Sequence, residues 1–273
     1  MIRIVRGAEP ATLSQIRAAK LAALRALGRP PVADDVDGYR VVAGTLRKAQ
    51  HYKCCYCEIK VQLAFNDVEH YRPKCSADRR PGCSQKHGYW WLAFTWENLL
   101  FACPACNRSG KNDRFPSDHF TISLAAEADP PGGELPLFLD PSGTINPVEH
   151  IEFVATTFGS KGGRAQWWAR PRKGSRFGDM TVDVCKLNRN ELLELRCDHY
   201  ENVILPIVKA LLIELASGSR AKIEREFQRA LDLLNPKLVY VAFTYDVLCS
   251  SVPNSRLLSA IQVAWPMPHQ VGV

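Results

Sequence analysis

The chain has 273 residues, 46% hydrophobic and 23% charged, an ordinary globular composition with room for one large domain or two small ones, which excludes disorder, collagen and coiled coil as whole-chain descriptions. Its longest apolar stretch, residues 203–216, is broken by Lys209 and Glu214; that is too short and too charged to span a bilayer, and with no signal-like apolar run near the N-terminus a cytoplasmic protein is expected. The net charge of +7 is unevenly spread: residues 72–114 hold eight basic residues against three acids, and residues 160–178 hold six and none, clustering that suits a polyanionic partner.

In chain order, apolar spacing predicts a helix over residues 12–27, with Thr12 as N-cap and Gly28, Pro30 and Pro31 as the stop. A second helix is expected over 35–50, and residues 1–50 read as an N-terminal helical segment. Residues 51–118 form the densest stretch. Within it 63–71 reads as a short strand ending at Pro73, 72–87 as a polar loop, and 107–115 as a short helix start. The aromatic run Tyr89-Trp90-Trp91 with Phe94 and Trp96 reads as core. Residues 119–187 read as a connector carrying a weak strand at 151–158 and the basic loop or hairpin at 159–178, where Trp167 and Trp168 lie between Arg164 and Arg170 and suit nucleic-acid contact. Residues 188–273 read as a helical C-terminal region, with amphipathic patterns at 190–215 and 220–234.

The chain contains ten cysteines, which in a cytosolic protein are better metal ligands than disulfide partners. Cys54-x-x-Cys57 and Cys103-x-x-Cys106 supply two thiolates each, the donor set of a closed, structural tetrahedral zinc site. The interval between the pairs exceeds a minimal zinc ribbon, so a folded insert is expected between them. Cys75, Cys83 and His87 are candidates for part of a second metal site without an evident fourth ligand. Redox-active dithiols are the competing reading of the C-x-x-C pairs.

Inside that frame stand Glu69-His70-x-x-Pro73-Lys74, then Glu97-Asn98-Leu99-Leu100, then Cys103-x-x-Cys106-Asn107-Arg108. In this order, framed by the knuckles, these motifs resemble the HNH nuclease superfamily. The resemblance implies an α+β fold: a ββα-metal module framed by the four-cysteine zinc, with flanking helices and a helical C-terminal part. It implies a metal-dependent endonuclease in which His70 is the general base, Glu69 and Asn107 hold a catalytic Mg²⁺ or Mn²⁺, and Asn98 braces the loop that orients His70. Arg72, Lys74, Arg108, Lys111, Arg164 and Arg170 are the expected DNA or RNA contacts, with Lys111 one helical turn after Asn107 on the same face. Because successive strand residues face opposite ways, Glu69 and His70 can share a site only where the strand bends or ends.

The approach Gln50-His51-Tyr52-Lys53-Cys54, the ending Cys106-Asn107-Arg108-Ser109-Gly110-Lys111, and downstream Leu139-Asp140-Pro141, Asn146-Pro147 and Leu187-Asn188-Arg189 are similar to the HNH proteins of Septu-type and retron-type anti-phage systems. That likeness implies antiviral defence and an ABC- or SMC-like ATPase partner. The alternative is a non-catalytic zinc-ribbon module that binds nucleic acid or a protein and needs the cysteines alone.

Overall fold

The computed structural model describes residues 1–79, 88–118, 127, 134–156 and 165–268. Cys83, His87 and Arg164, named above, lie outside the described residues.

The first helix, α1 (Ala11–Arg25), starts one residue before Thr12, with Pro10 in extended geometry at its N-cap; Thr12 is inside the helix and does not cap it. The expected second helix is broken. Gly38 at φ +93° interrupts it, a conformation that glycine adopts without steric cost. The chain instead makes 3₁₀ turns at Ala33–Asp35 and Tyr39–Val42 before the short α2 (Ala43–Ala49).

The central element is a two-stranded antiparallel ribbon of β1 (Asp67–His70) and β2 (Leu99–Ala102), with Glu69 opposite Leu100 and His70 opposite Leu99. The strand expected over 63–71 contracts to these four residues. Directly after β2 come α3 (Pro104–Cys106) and a π-helical turn, Asn107–Lys111, giving a strand–strand–helix unit. Gln50 clips its side-chain amide onto β2, accepting from Phe101 N at 2.8 Å and donating to Phe101 O at 2.7 Å. Cys55 N also donates to Phe101 O, so the first knuckle is stitched to the second strand.

Two further ribbons follow, β3 (Ser117–Asp118) with β4 (Leu135–Pro136) and β5 (Ile151–Thr156) with β6 (Gln166–Pro171). The described part of the basic segment, 165–178, therefore runs through the hairpin strand β6 and a 3₁₀ turn, Arg172–Gly174, into the start of the next helix. Trp167 on β6 is 6% exposed, packed on Tyr200 and Phe243, which corrects its assignment as a nucleic-acid contact; Trp168, its alternate neighbour, faces outward at 37%. This is the period-two alternation of a strand with one covered face. The helix α4 (Arg176–Val184) emerges from the end of the expected loop and is capped by Ser175 Oγ accepting from Gly178 N. The helical C-terminal region comprises α5 (Asn190–His199), α6 (Leu205–Ser217), α7 (Arg220–Asp232), α8 (Val241–Ser251) and α9 (Asn254–Ile261), with a π turn joining α5 to α6.

A continuous set of buried apolar side chains runs from Leu13 and Leu46 through Phe101 and Phe138 to Phe243 and Trp265. Glu58 ties the first knuckle to the C-terminal helices: it is 3% exposed and accepts from Val241 N and Ala242 N at the start of α8. A carboxylate at a helix N-terminus satisfies amides that have no partner within the helix. No helix among the described residues is long and apolar enough to cross a membrane.

Candidate active site and metal centre

Cys54 and Cys57 come from the turn after α2, Cys103 and Cys106 from the turn that opens α3. All four are buried, and their Sγ atoms lie within 4.8 Å of one another. Cys57 Sγ and Cys103 Sγ are 3.7 Å apart. Tetrahedral zinc with Zn–S of about 2.3 Å requires sulfurs about 3.8 Å apart, so the donor set fits a structural zinc. Two thiolate pairs also leave excess negative charge, and Arg189, just before α5, meets it: Nη1 reaches Cys106 Sγ at 3.5 Å and Nη2 reaches Cys57 Sγ at 3.8 Å. Burial lowers the Arg189 pKa, but the two cysteines raise it by more, so the guanidinium stays charged against the sulfurs. This is how outer groups orient and stabilise metal ligands. Sequence reasoning singled out Leu187-Asn188-Arg189 without finding this role; a cation far along the chain from the knuckles carries no local signal.

A cleft of about 300 Å³ opens beside the ribbon, lined by Tyr39, Glu69, His70, Lys74, Asn107 and Asn112 among others. Glu69 and His70, the last two residues of β1, both line this cleft although they are successive.

His70 is 6% exposed. Its Nε2 sits 3.0 Å from Ala93 O. A carbonyl only accepts, so in the neutral ring Nε2 carries the proton and Nδ1 keeps its lone pair. Desolvation depresses the pKa of His70 to about 3, with Lys74 and Lys111 pushing the same way; the ring is neutral at neutral pH. Tyr39 packs edge-on against it with centroids 4.5 Å apart.

Asn98 is buried between the strands. Its Oδ1 accepts from Arg72 N at 2.7 Å, and its Nδ2 donates to Arg72 O and Leu92 O, both at 3.1 Å. One side chain thus pins the segment after His70 to the turn that presents Ala93 O. Tyr71 N adds a bond to Asn98 O.

Glu69 is 3% exposed and receives Lys111 Nζ at 2.7 Å and the Tyr56 hydroxyl at 3.2 Å, both on Oε1. Burial raises its pKa, opposed by Lys111 and Tyr56. Lys111 is fully buried and also donates to His70 O at 2.8 Å. It is therefore an internal counter-charge, and the expected placement of its ammonium on a phosphate is corrected. The π turn explains the difference: the i→i+5 ring, closed by Asn112 N on Asn107 O, widens the helix and rotates Lys111 inward. Asn112, at the end of that turn, has φ +47° and ψ −115°, a strained geometry of the kind that accumulates at functional sites.

Asp67, which sequence reasoning passed over, occupies the same face of β1 as Glu69. It accepts Asn107 Nδ2 at 3.1 Å and both Nε and Nη2 of Arg108, at 2.9 and 2.7 Å. Since a carboxylate only accepts, it fixes the Asn107 amide with nitrogen toward Asp67 and leaves Oδ1 as that side chain's acceptor.

The other expected basic contacts are dispersed. Lys74 lines the cleft and donates to Ala33 O and Val36 O. Arg72 is mostly buried, pairs with Glu134 and stacks among Tyr71, Tyr89 and Phe115, a packing role that turns it away from solvent. Arg170 lies on β6, paired with Glu152 at 2.8 Å. Cys75 is partly buried, with burial raising its pKa.

No protein-family model and no solved structure matches the chain. Among curated proteins, Septu protein PtuA from Bacillus mycoides (strain KBAB4) is 30% identical over 149 residues, which are 54% of this chain but 19% of that protein. Septu protein PtuB from the same organism is 31% identical over 224 residues, 77% of this chain and 71% of that protein. Identity at that level across most of both sequences places this chain in the family of the Septu protein PtuB.

Proposed function

We propose that the chain is a metal-dependent HNH-type endonuclease that hydrolyses nucleic-acid phosphodiester bonds in anti-phage defence. The observation that carries this reading is the convergence of Glu69, His70 and Asn107 on one cleft of a strand–strand–helix unit, behind a buried four-cysteine cluster. In the mechanism, His70 Nδ1 takes the proton of an attacking water, whose oxygen bonds to phosphorus as the ester bond to the leaving oxygen breaks; the leaving oxygen takes a proton from a solvent water, and His70 returns its own to solvent. Ala93 O fixes the ring, and Asn98 fixes the turn bearing Ala93. Glu69 Oε2 and Asn107 Oδ1 would be the hard oxygen donors to Mg²⁺ or Mn²⁺, a cation satisfied by few protein ligands. When bound there, it supplies charge compensation on the phosphate. Lys111 opposes the effect of burial on Glu69 and so favours its charged form.

Membership of the Septu family supports the defence assignment, and the resemblance to Septu-type and retron-type systems is the ground for proposing an ABC- or SMC-like ATPase as partner. The test is incubation of the purified chain, alone and co-purified with the product of its neighbouring gene, with plasmid DNA and bulk tRNA in Mg²⁺ or Mn²⁺. Metal-dependent cutting of either polymer, stopped by EDTA, is expected. Binding without cutting in both preparations would instead mark a non-catalytic zinc module.

A further inference from the structure

The N-terminal segment adds two side chains that the central motifs do not supply. Gly38, at φ +93°, turns the chain so that Tyr39 and Arg40 open the 3₁₀ turn Tyr39–Val42 beside β1. Tyr39 lies against the His70 ring, and Lys74 Nζ sits 4.8 Å from the centroid of the Tyr39 ring. Arg40 and Arg108, far apart in sequence, address the same oxygen. Arg108 Nη2 lies 2.7 Å from Asp67 Oδ1, and Arg40 Nη2 lies 4.0 Å from it.

The exposures of the three side chains differ sharply. The Asp67 side chain is 5% exposed, those of Arg40 and Arg108 are 68% and 64%. Its second oxygen is already taken by Arg108 Nε and Asn107 Nδ2. One buried carboxylate therefore faces two guanidiniums, leaving a net positive charge at the rim. At 4.0 Å Arg40 is beyond hydrogen-bond length, so its donors remain for another acceptor. The ligand that fits is an anion with several acceptor oxygens, able to take the fork of Arg40 together with the donors that Arg108 does not give to Asp67. A backbone phosphate next to the one in the cleft has that chemistry, because Asn107, a cleft residue, is bonded to the same Asp67.

We propose that Arg40 and Arg108 clamp a flanking backbone phosphate of the nucleic-acid substrate, with Asp67 as the positioning residue that sets their spacing. This rests on the nuclease reading and adds to it a substrate contact from the N-terminal segment. The experiment measures equilibrium binding of a labelled DNA duplex and of tRNA across a salt series. His70→Ala protein is used so that nothing is cut, with and without Arg40→Ala, Arg108→Ala or both, each checked for zinc content and melting temperature. Each single change is expected to reduce the slope of log K against log salt by about 0.9 for duplex, or about 0.7 for single-stranded contacts, and the pair by about twice that. Arg40→Lys is expected to keep the slope, because the charge stays, while losing affinity with the fork. An unchanged slope and affinity in Arg40→Ala, with normal binding by the parent, overturns the clamp and leaves the nuclease reading standing. Equal dependence on Arg40 for binding polyglutamate overturns it in favour of an acidic protein partner. A parent that binds neither polymer overturns both.

Discussion

His70 is kept neutral by burial, and this has a consequence for stability. Its pKa falls from 6.5 to about 3 on folding, so below pH 6.5 the unfolded chain binds a proton that the folded chain does not. Stability is unaffected above that pH and is lost progressively as pH falls from 6.5 toward 3. Between pH 6 and pH 5 the wild type is expected to lose about 1 kcal/mol more than His70→Asn, measured by urea unfolding at each pH. An equal pH response in the two would refute the buried, neutral histidine. Lys111 offers a second test. Removing its ammonium in Lys111→Met leaves Glu69 buried without its counter-charge, at a cost of about 3–5 kcal/mol, and Glu69→Gln combined with Lys111→Met should recover much of that loss in a double-mutant cycle. At this scale Glu69, His70, Asn98 and Asn107 are legible in the sequence because their motifs are short and the zinc knuckles fix their order. Asp67, Tyr39 and Arg189 are not, because each acts through contacts between distant parts of the chain that leave no spacing pattern.

At the scale of elements, the knuckles determine how the strand–strand–helix unit is held. The first is bonded to β2 through Gln50 and Cys55, and the second opens α3, so one ion would join both ends of the unit. Metal analysis is expected to give one zinc per chain, and stripping it should lower the melting temperature sharply, because binding energy at a structural zinc is folding energy. Arg189→Met should weaken zinc affinity by about 10- to 100-fold, read by competition with a chromogenic chelator, with the four thiolates intact. The α4 contact is equally demanding. A Cβ at Gly178 would lie 1.9 Å from His150 O, so Gly178→Ala should destabilise by about 1–3 kcal/mol or more through displaced backbone. Strand β5 and the helical patterns at 190–215 and 220–234 are legible from hydrophobic period, whereas the pairing of β6 with β5, the π turn that divides 190–215 into α5 and α6, and α4, α8 and α9 are not. The break at Gly38 and the π turn at Asn107–Lys111 are not: α-helical periodicity assumes a constant turn, and both places depart from it. That departure carries Lys111 inward.

Across the whole molecule, the cleft is lined by the N-terminal segment, by β1 and the segment after it, and by the turn after β2, and the C-terminal region reaches the zinc frame through Arg189. Arg40 approaches its rim from the N-terminal segment, Arg108 from the helix after β2, while Arg189 from the C-terminal region steadies the sulfurs behind it. The basic excess over residues 72–114 is partly spent internally, on Lys111 and Arg72, which is why charge counting overstates the surface open to a polyanion. Under the proposed function this cleft hydrolyses phosphodiesters with His70 as base. The measurement to make is the initial rate of DNA and tRNA cleavage in Mn²⁺ by zinc-loaded wild type and His70→Ala, matched in melting profile and each assayed with and without the proposed ATPase partner. His70→Ala is expected to be slower by about 10²- to 10⁴-fold, the contribution of a general base. Cleavage by His70→Ala at the wild-type rate would contradict it.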